Sequence, residues 1–165
     1  MRFPEEKILT LDKLEVVLEN IRSQKKTIAF TNGCFDIIHA GHIKTFFEAK
    51  KYGDILFVGI NSDQSVRRLK GEKRPIIPLE MRMIVVASVE AVDYVIPFDD
   101  DTPFSLIEKI KPDVLVKGED WTEDKIVGAD IVKSRGGKVV RVKLIEGIST
   151  TSIIARIIEK MKDKV

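Results

Sequence analysis

The stretch that decides the fold of this 165-residue chain is Thr31-Asn32-Gly33-Cys34-Phe35-Asp36-Ile37-Ile38-His39-Ala40-Gly41-His42. It contains both histidines of the sequence, and it stands between an apolar run at 27–30 and a helical pattern at 43–52. This order predicts a turn from a strand into a helix, where free backbone N–H groups bind anions. Two imidazoles three residues apart share one helix face and can reach the same phosphate. The stretch therefore predicts an anion site.

Other interpretations of this stretch stay open at this point. The two histidines also fit a solvated helix surface that binds nothing. His39, His42 and Asp36 together offer ligands for a transition metal, although helical metal sites more often space two histidines four residues apart and add a clear third ligand. Cys34 suggests a nucleophile, but no third histidine exists to act as its base, so a bystander thiol is favoured.

Short β-branched runs and helical patterns alternate along the rest of the chain. The runs lie at 27–31, 54–60, 92–96, 113–117 and 138–143. The helical patterns lie at 8–24, 41–52, 63–70, 79–91, 102–110, 123–135 and about 150–162. Five strands separated by helices predict an α/β fold, a Rossmann-like doubly wound sheet of about five parallel strands with helices on both faces. Ligands then bind beyond the carboxyl ends of the strands.

Length and composition are those of one ordinary domain. Hydrophobic residues make up 44% of the chain, and the formal net charge of +2 demands neither nucleic acid nor a membrane as partner. One cysteine excludes an internal disulfide and suits the reducing cytoplasm. We predict a cytoplasmic protein with a single domain at 1–165, divided into a helical extension at 1–25 and a core at 26–165 that carries the site.

A basic segment follows the second predicted strand. It carries Arg67, Arg68, Lys70, Lys73 and Arg74, with Arg82 on the next helix. Cations on a loop can close over a polyphosphate and neutralise its charge. The same composition also fits a solvated charged loop.

Two further segments stand where the predicted fold places ligands. Lys117-Gly118-Glu119-Asp120-Trp121 follows the fourth strand, although Trp121 is equally suited to simple packing. Ser149, Thr150 and Thr151 begin the final helix. Hydroxyls at a helix start either hold phosphate or act as ordinary caps.

Taken together, these segments resemble the cytidylyltransferase-like nucleotidyltransferases, whose mark is His-x-Gly-His after the first strand. Here the motif is His39-Ala40-Gly41-His42. The wider match resembles the adenylyltransferase domains of ADP-heptose synthases and covers about residues 27–160. It includes Asn61-Ser62-Asp63, Leu69-Lys70-Gly71, Arg74-Pro75, Asp101-Thr102-Pro103, Lys117-Gly118 with Asp120-Trp121, and Ser149-Thr150-Thr151.

The resemblance implies transfer of AMP from ATP, accompanied by Mg²⁺, to D-glycero-β-D-manno-heptose 1-phosphate, without a covalent enzyme intermediate. The chain resembles the stand-alone form of the transferase, so the kinase step is expected on a separate protein, and a homodimer is expected. One alternative is a cytidylyltransferase for glycerol 3-phosphate or another alcohol phosphate. Those enzymes have an arginine before the last motif, where this chain has Leu144. A non-catalytic nucleotide-binding module is a further alternative.

The resemblance also implies roles for individual residues. The implied catalytic residues are His39, His42, Lys70, Lys73 and Arg74. The implied nucleotide-binding residues are Thr31, Asn32, Gly33, Cys34, Phe35, Asp36, Gly41, Lys117, Gly118, Asp120, Ser149, Thr150 and Thr151. No metal bound by protein ligands is expected. Glu119 replaces the glycine that is usual in the heptose enzymes, and its role is left open.

Overall fold

Five strands, all parallel, form one sheet in the computed structural model, which describes residues 2–162. The strands are β1 (Ile28–Gly33), β2 (Ile55–Asn61), β3 (Tyr94–Phe98), β4 (Val114–Gly118) and β5 (Lys138–Val142). The helices are α1 (Pro4–Lys7), α2 (Leu11–Ser23), α3 (Ala40–Lys50), α4 (Asp63–Lys70), α5 (Leu79–Ala87), α6 (Phe104–Ile110), α7 (Ala129–Ser134) and α8 (Thr150–Met161), with a 3₁₀ turn at Glu123–Lys125.

The strand order is β3-β2-β1-β4-β5, so β1 lies at the centre of the sheet. Ile28 of β1 pairs with Ile55 of β2, and Ala29 pairs with Val114 of β4. The chain first adds strands on one side of β1 and then crosses over to build β4 and β5 on the other. A sheet of this type has its ligand site at that reversal, beyond the carboxyl ends of the strands. The predicted fold class is confirmed.

Both faces of the sheet are covered by apolar side chains of helices. On one face, Phe30 packs in a cluster with residues of α2, α6 and α7. On the other face, Ala29 belongs to a cluster that includes Phe46 of α3 and Val86 of α5. Consecutive residues of a strand point to opposite faces, and β1 therefore supplies both cores. Its apolar residues are fully or almost fully buried.

Several predicted boundaries are wrong. The helix predicted at 79–91 ends at Ala87, and the strand predicted at 92–96 lies at Tyr94–Phe98. The helix predicted at 123–135 is two pieces, since Gly128 has φ +84° and interrupts it. The helix predicted at 8–24 begins only at Leu11. Apolar periodicity extended past the ends of α2 and α5 because neighbouring residues outside these helices are themselves buried, namely Leu9 before α2 and Ala91 and Val92 after α5.

No helix among residues 2–162 is both long and apolar enough to span a bilayer. The division of the chain into an extension at 1–25 and a core at 26–165 stays a prediction. Helix α2, within that extension, buries Leu14, Leu18 and Ile21 against the sheet.

Candidate active site

The two histidines lie at the start of α3, directly beyond the carboxyl end of β1. His39 is the residue that caps the helix, with an extended backbone, and His42 lies in the first turn. Their rings stack with centroids 3.7 Å apart and an interplanar angle of 21°. The cap position therefore turns the His39 side chain onto its neighbour, and both imidazoles border one cavity.

Burial makes the histidine pair neutral at neutral pH. It lowers the pKa of His39, and together with the neighbouring His39 it lowers the pKa of His42 to about 4. Within residues 2–162 the Nδ1 atoms of both rings are buried and have no hydrogen-bond partner. Nε2 is the other nitrogen of each ring, and a neutral imidazole protonated there can donate one hydrogen bond to a ligand.

Glycine at position 41 makes room for this arrangement. A Cβ built on Gly41 would lie 3.0 Å from Cε1 and Nδ1 of His39. Even alanine would therefore require the imidazole to shift by a few tenths of an ångström. The glycine of the His-x-Gly-His motif is required for ring packing as well as for backbone approach to a ligand.

Phe35 packs against His42 in the turn between β1 and α3. Its φ of 47° is left-handed, which is unusual for a residue with a Cβ. The ring contacts His42 edge-on, with centroids 5.2 Å apart, and also packs against Phe46 of α3. A Cβ on Gly33 would come within 3.0 Å of this ring. The turn between β1 and α3 thus holds its shape through aromatic packing.

Asp36 anchors the basic loop to the histidine turn. Its carboxylate is 2% exposed and accepts hydrogen bonds from Arg74 and from the amides of Ile76 and Ile77. Burial alone raises the pKa of Asp36, but the two amides and Arg74 outweigh it and hold the pKa below its usual value. Since both oxygens of Asp36 are engaged, the metal interpretation with His39 and His42 gains no support. No cluster of three metal-ligating side chains occurs within residues 2–162.

Arg82 has a structural role, although the sequence analysis grouped it with the cations of the basic loop. Its side chain is fully buried and donates to Asn61 O and Ile77 O at 2.9 Å, to Cys34 O, and to Asp63 Oδ1 at 2.7 Å. One guanidinium therefore joins the carboxyl ends of β1 and β2 to the loop before α5. An arginine inside the apolar sequence of α5 was the available signal for this role.

Lys117 lies at the carboxyl end of β4, on the other side of β1. Its Nζ donates to Asn32 Oδ1 and stands 5.7 Å from the centre of the Trp121 ring. Burial lowers the pKa of Lys117 to about 8, against a smaller opposing effect of Asp120. Glu119, whose role the sequence left open, accepts a hydrogen bond from the Leu144 amide at 3.2 Å and ties β4 to the segment after β5.

The hydroxyl-rich start of α8 completes the cavity wall. Ser149 Oγ accepts from the Ser152 amide at 3.0 Å, and Ser152 Oγ accepts from the Ser149 amide. This reciprocal pair is an ordinary helix cap, as one of the two interpretations of the sequence held. Thr150 and Thr151 border the cavity beside it.

The cavity has a volume of about 530 Å³ and brings almost the whole predicted set together. The predicted residues on its wall are Thr31, Asn32, Gly33, Cys34, Phe35, Asp36, His39, Gly41, His42, Lys70, Arg74, Lys117, Gly118, Asp120, Ser149, Thr150 and Thr151. Lys73 is exposed and lies outside the wall. The wall also contains residues that no prediction assigned to it, namely Thr45, Asn61, Leu69, Asp101, Thr102, Pro103, Ile126, Val127, Leu144, Ile145 and Ile148, together with Trp121.

A doubly wound parallel sheet with a stacked His-x-Gly-His pair in a cavity at the carboxyl ends of its strands defines a class, the α/β nucleotide-binding proteins of nucleotidyltransferase type. Residues 30–156 match the family described as Cytidylyltransferase-like, which is most of the chain. The chain therefore belongs to the cytidylyltransferase-like family.

Curated relatives and solved structures agree with this assignment. The chain is 52% identical over 152 residues to "Bifunctional protein HldE" of Geobacter metallireducens, which covers 92% of this chain and 31% of that protein. The protein of the same name from Alcanivorax borkumensis is 53% identical over 153 residues, covering 93% of this chain and 32% of that protein. The chain thus spans about a third of the length of these relatives.

Two solved structures share the fold. A lipopolysaccharide core biosynthesis protein from Thermoplasma volcanium superposes with a TM-score of 0.58 at 28% identity, covering 73% of this chain and 97% of that one. Pantoate-beta-alanine ligase from Francisella tularensis gives a TM-score of 0.60 over 96% of this chain and 79% of that one. At 17% identity, the second match shows a likeness of fold alone.

Proposed function

We propose that this protein transfers AMP from ATP to D-glycero-β-D-manno-heptose 1-phosphate, giving ADP-heptose and pyrophosphate. The observation that carries the proposal is the stacked pair His39 and His42 on the wall of a cavity that Lys117 and the start of α8 also border. Donors of this kind stabilise charge that develops on a phosphate.

The choice of substrates is supported by the comparisons and by the sequence. The matched relatives carry the name "Bifunctional protein HldE", and one structural relative is named for lipopolysaccharide core biosynthesis. The motifs of this chain resemble the adenylyltransferase domains of ADP-heptose synthases. Leu144 stands where glycerol 3-phosphate cytidylyltransferases have an arginine, which disfavours that alternative.

The proposed reaction requires little covalent chemistry from the protein. A phosphate oxygen of the sugar 1-phosphate is already ionised near neutral pH, so it attacks the α-phosphorus of ATP without a general base, and pyrophosphate leaves on the opposite side. The protein must hold two anions together against their repulsion. Neutral imidazoles suit this task because they donate hydrogen bonds to the α-phosphate without the cost of burying a charge beforehand.

Magnesium enters this reaction as part of the substrate MgATP. The described side chains lack a cluster of three metal-ligating groups, and the carboxylate of Asp36 is engaged by Arg74 and two amides. An ion held by the nucleotide phosphates, with several of its own waters, needs no such cluster. The basic side chains Lys70 and Arg74 border the cavity, where they complement the phosphate charge that the two substrates bring.

Pyrophosphate release with Mg²⁺ tests the proposal. ATP and CTP are each combined with heptose 1-phosphate and with glycerol 3-phosphate. Release with ATP and heptose 1-phosphate alone is the expected result. Release with CTP and glycerol 3-phosphate would replace both substrates while keeping the reaction class, and nucleotide binding without any release would favour the non-catalytic alternative.

The oligomeric state is a further part of the proposal. A homodimer is expected, and light scattering after gel filtration at several concentrations measures it.

A further inference from the structure

The cavity reaches to both sides of β1, and its two sides differ in chemistry. On the β4 side it is bordered by Lys117, Gly118 and Asp120. On the β2 and β3 side it is bordered by Asn61, Lys70 and the segment Asp101–Pro103, which follows β3. Within the second group, the sequence implied a role for Lys70 but none for Asn61 or for the segment Asp101–Pro103.

The topology separates the two substrates of the proposed reaction between these sides. The reversal of strand order lies between β1 and β4, where a nucleotide binds in sheets of this kind. In-line displacement requires the attacking phosphate to approach the α-phosphorus from the side opposite to the leaving pyrophosphate. With the nucleoside over β1 and β4, the β2 and β3 side remains for the acceptor.

Asp101 lies on this second side and is paired with Arg68. Arg68 Nε donates to its Oδ1 at 2.6 Å, and the same guanidinium also donates to the Asp99 carbonyl. The Asp101 side chain is 58% exposed, and its second oxygen has no partner among the described residues, so it is free to accept a hydrogen bond from a ligand. A carboxylate repels phosphate but accepts hydrogen bonds from hydroxyl groups. Its presence on a cavity wall that also carries Lys70 and Arg74 is consistent with a ligand that bears hydroxyl groups next to a phosphate.

We propose that Asp101 determines acceptor specificity by accepting hydrogen bonds from sugar hydroxyls, while Lys70 binds the acceptor phosphate. This inference rests on the proposed function, because it names the side of the cavity that the sugar 1-phosphate occupies. Thr102 adds a further hydroxyl on the same wall. Asp101 contacts substrate in this arrangement and takes no part in bond breaking.

The test compares Asp101→Asn with Asp100→Asn in the full chain. Asp100 is a neighbouring exposed carboxylate outside the cavity wall, so its replacement makes the same change of charge. Steady-state rates of pyrophosphate release are measured with heptose 1-phosphate and with ATP as the varied substrate. Loss of a hydrogen bond to a charged group predicts a rise of about tenfold to a hundredfold in KM for heptose 1-phosphate in Asp101→Asn. The KM for ATP should change less than about twofold, and Asp100→Asn should match the wild type.

Inorganic phosphate distinguishes recognition of hydroxyls from a general distortion of the site. It is used as a competitive inhibitor against heptose 1-phosphate, and it carries no sugar. Its inhibition constant should be unchanged or lower in Asp101→Asn. An equal weakening of phosphate and sugar phosphate would overturn the proposal, and so would a rise in the Mg²⁺ concentration needed for the half-maximal rate.

Failure of the proposed function and failure of the role of Asp101 give different results. If the wild type releases no pyrophosphate from ATP and heptose 1-phosphate, the proposed function is overturned together with the role of Asp101. If the wild type is active and Asp101→Asn keeps the wild-type KM for heptose 1-phosphate, only the role of Asp101 is overturned.

Discussion

The histidine turn and the start of α8 face the same cavity, but they are built in opposite ways. The turn is held by the buried carboxylate of Asp36, by the buried guanidinium of Arg82 and by the ring of Phe35. Each described residue of α8 is exposed or only partly buried, and Ser149 itself is exposed. One wall of the site is embedded in the core, and the other is a surface helix.

The difference indicates how the two walls contribute to the proposed chemistry. Buried hydrogen bonds of Asp36 and Arg82 hold the turn, and ring packing holds the histidines, before any ligand arrives. Such preorganisation is the condition for effective stabilisation of a transition state. A helix with few buried contacts opens at a lower free energy and can adjust to a ligand. We therefore expect changes at the turn to reduce turnover, and changes at α8 to weaken binding.

The largest expected effect is the loss of a histidine. His39→Ala or His42→Ala should lower kcat by about 10²–10⁴-fold, judged by the removal of comparable donors, with little change in thermal unfolding. Initial rates of pyrophosphate release measure the change. Nearly normal turnover with both histidines replaced would show that the histidine turn does not stabilise the transition state.

The next largest effect is expected at Arg82, whose hydrogen bonds support the histidine turn. Arg82→Met removes a buried cation and leaves the carbonyls of Cys34, Asn61 and Ile77 without their donor. We expect a loss of about 2–3 kcal/mol in the free energy of unfolding, measured in urea. Arg67→Met, an exposed change on α4, is the matched control and should lie within about 0.5 kcal/mol of wild type. Equal stability of the two variants would show that the turn does not depend on Arg82.

The neutral state of His42 predicts a dependence of stability on pH. Its pKa is about 4 in the folded protein, against an ordinary value of 6.5. Between these values the unfolded chain binds a proton that the folded chain does not, so stability rises with pH across this window and is lost as the pH falls. One proton gives a slope of at most about 1.4 kcal/mol per pH unit.

The comparison of wild type with His42→Asn isolates this contribution from those of the carboxylates. Unfolding free energies at several pH values between about 4 and 6.5 should give a flatter slope in the variant. Identical slopes would mean that His42 titrates normally in the folded protein and that its imidazole is not desolvated.

The smallest effect is expected at α8. Ser149→Ala removes the cap and should destabilise the start of the helix by about 1 kcal/mol. The KM for ATP should rise severalfold while kcat changes little. Ser134→Ala, at the exposed end of α7, is the control. A fall in kcat as large as that of the histidine variants would show that α8 is as closely coupled to the reaction as the turn.

Local patterns allowed the sequence to predict much of the site. The strand-to-helix turn, the basic loop, the segment after β4 and the hydroxyls before α8 follow predicted strands or begin predicted helices, and the carboxyl ends of parallel strands meet at one edge. Their convergence on one cavity follows from that rule. The residues between β3 and α6 were quoted only as part of a resemblance, and Asp101 was given no place, because nothing local indicates that they reach the same cavity.

The sequence alone determined the fold class, because hydrophobic periodicity and turn residues are local properties that specify strands, helices and their alternation. Only the tertiary structure decided the burial and the partners of each charged side chain. Arg74 and Arg82 are both cations near the basic loop, yet one is bound to Asp36 and the other is buried among backbone carbonyls. Lys73 stays exposed outside the cavity. Burial and hydrogen-bond partners arise from contacts between distant segments, and these set both the state of a charge and its role.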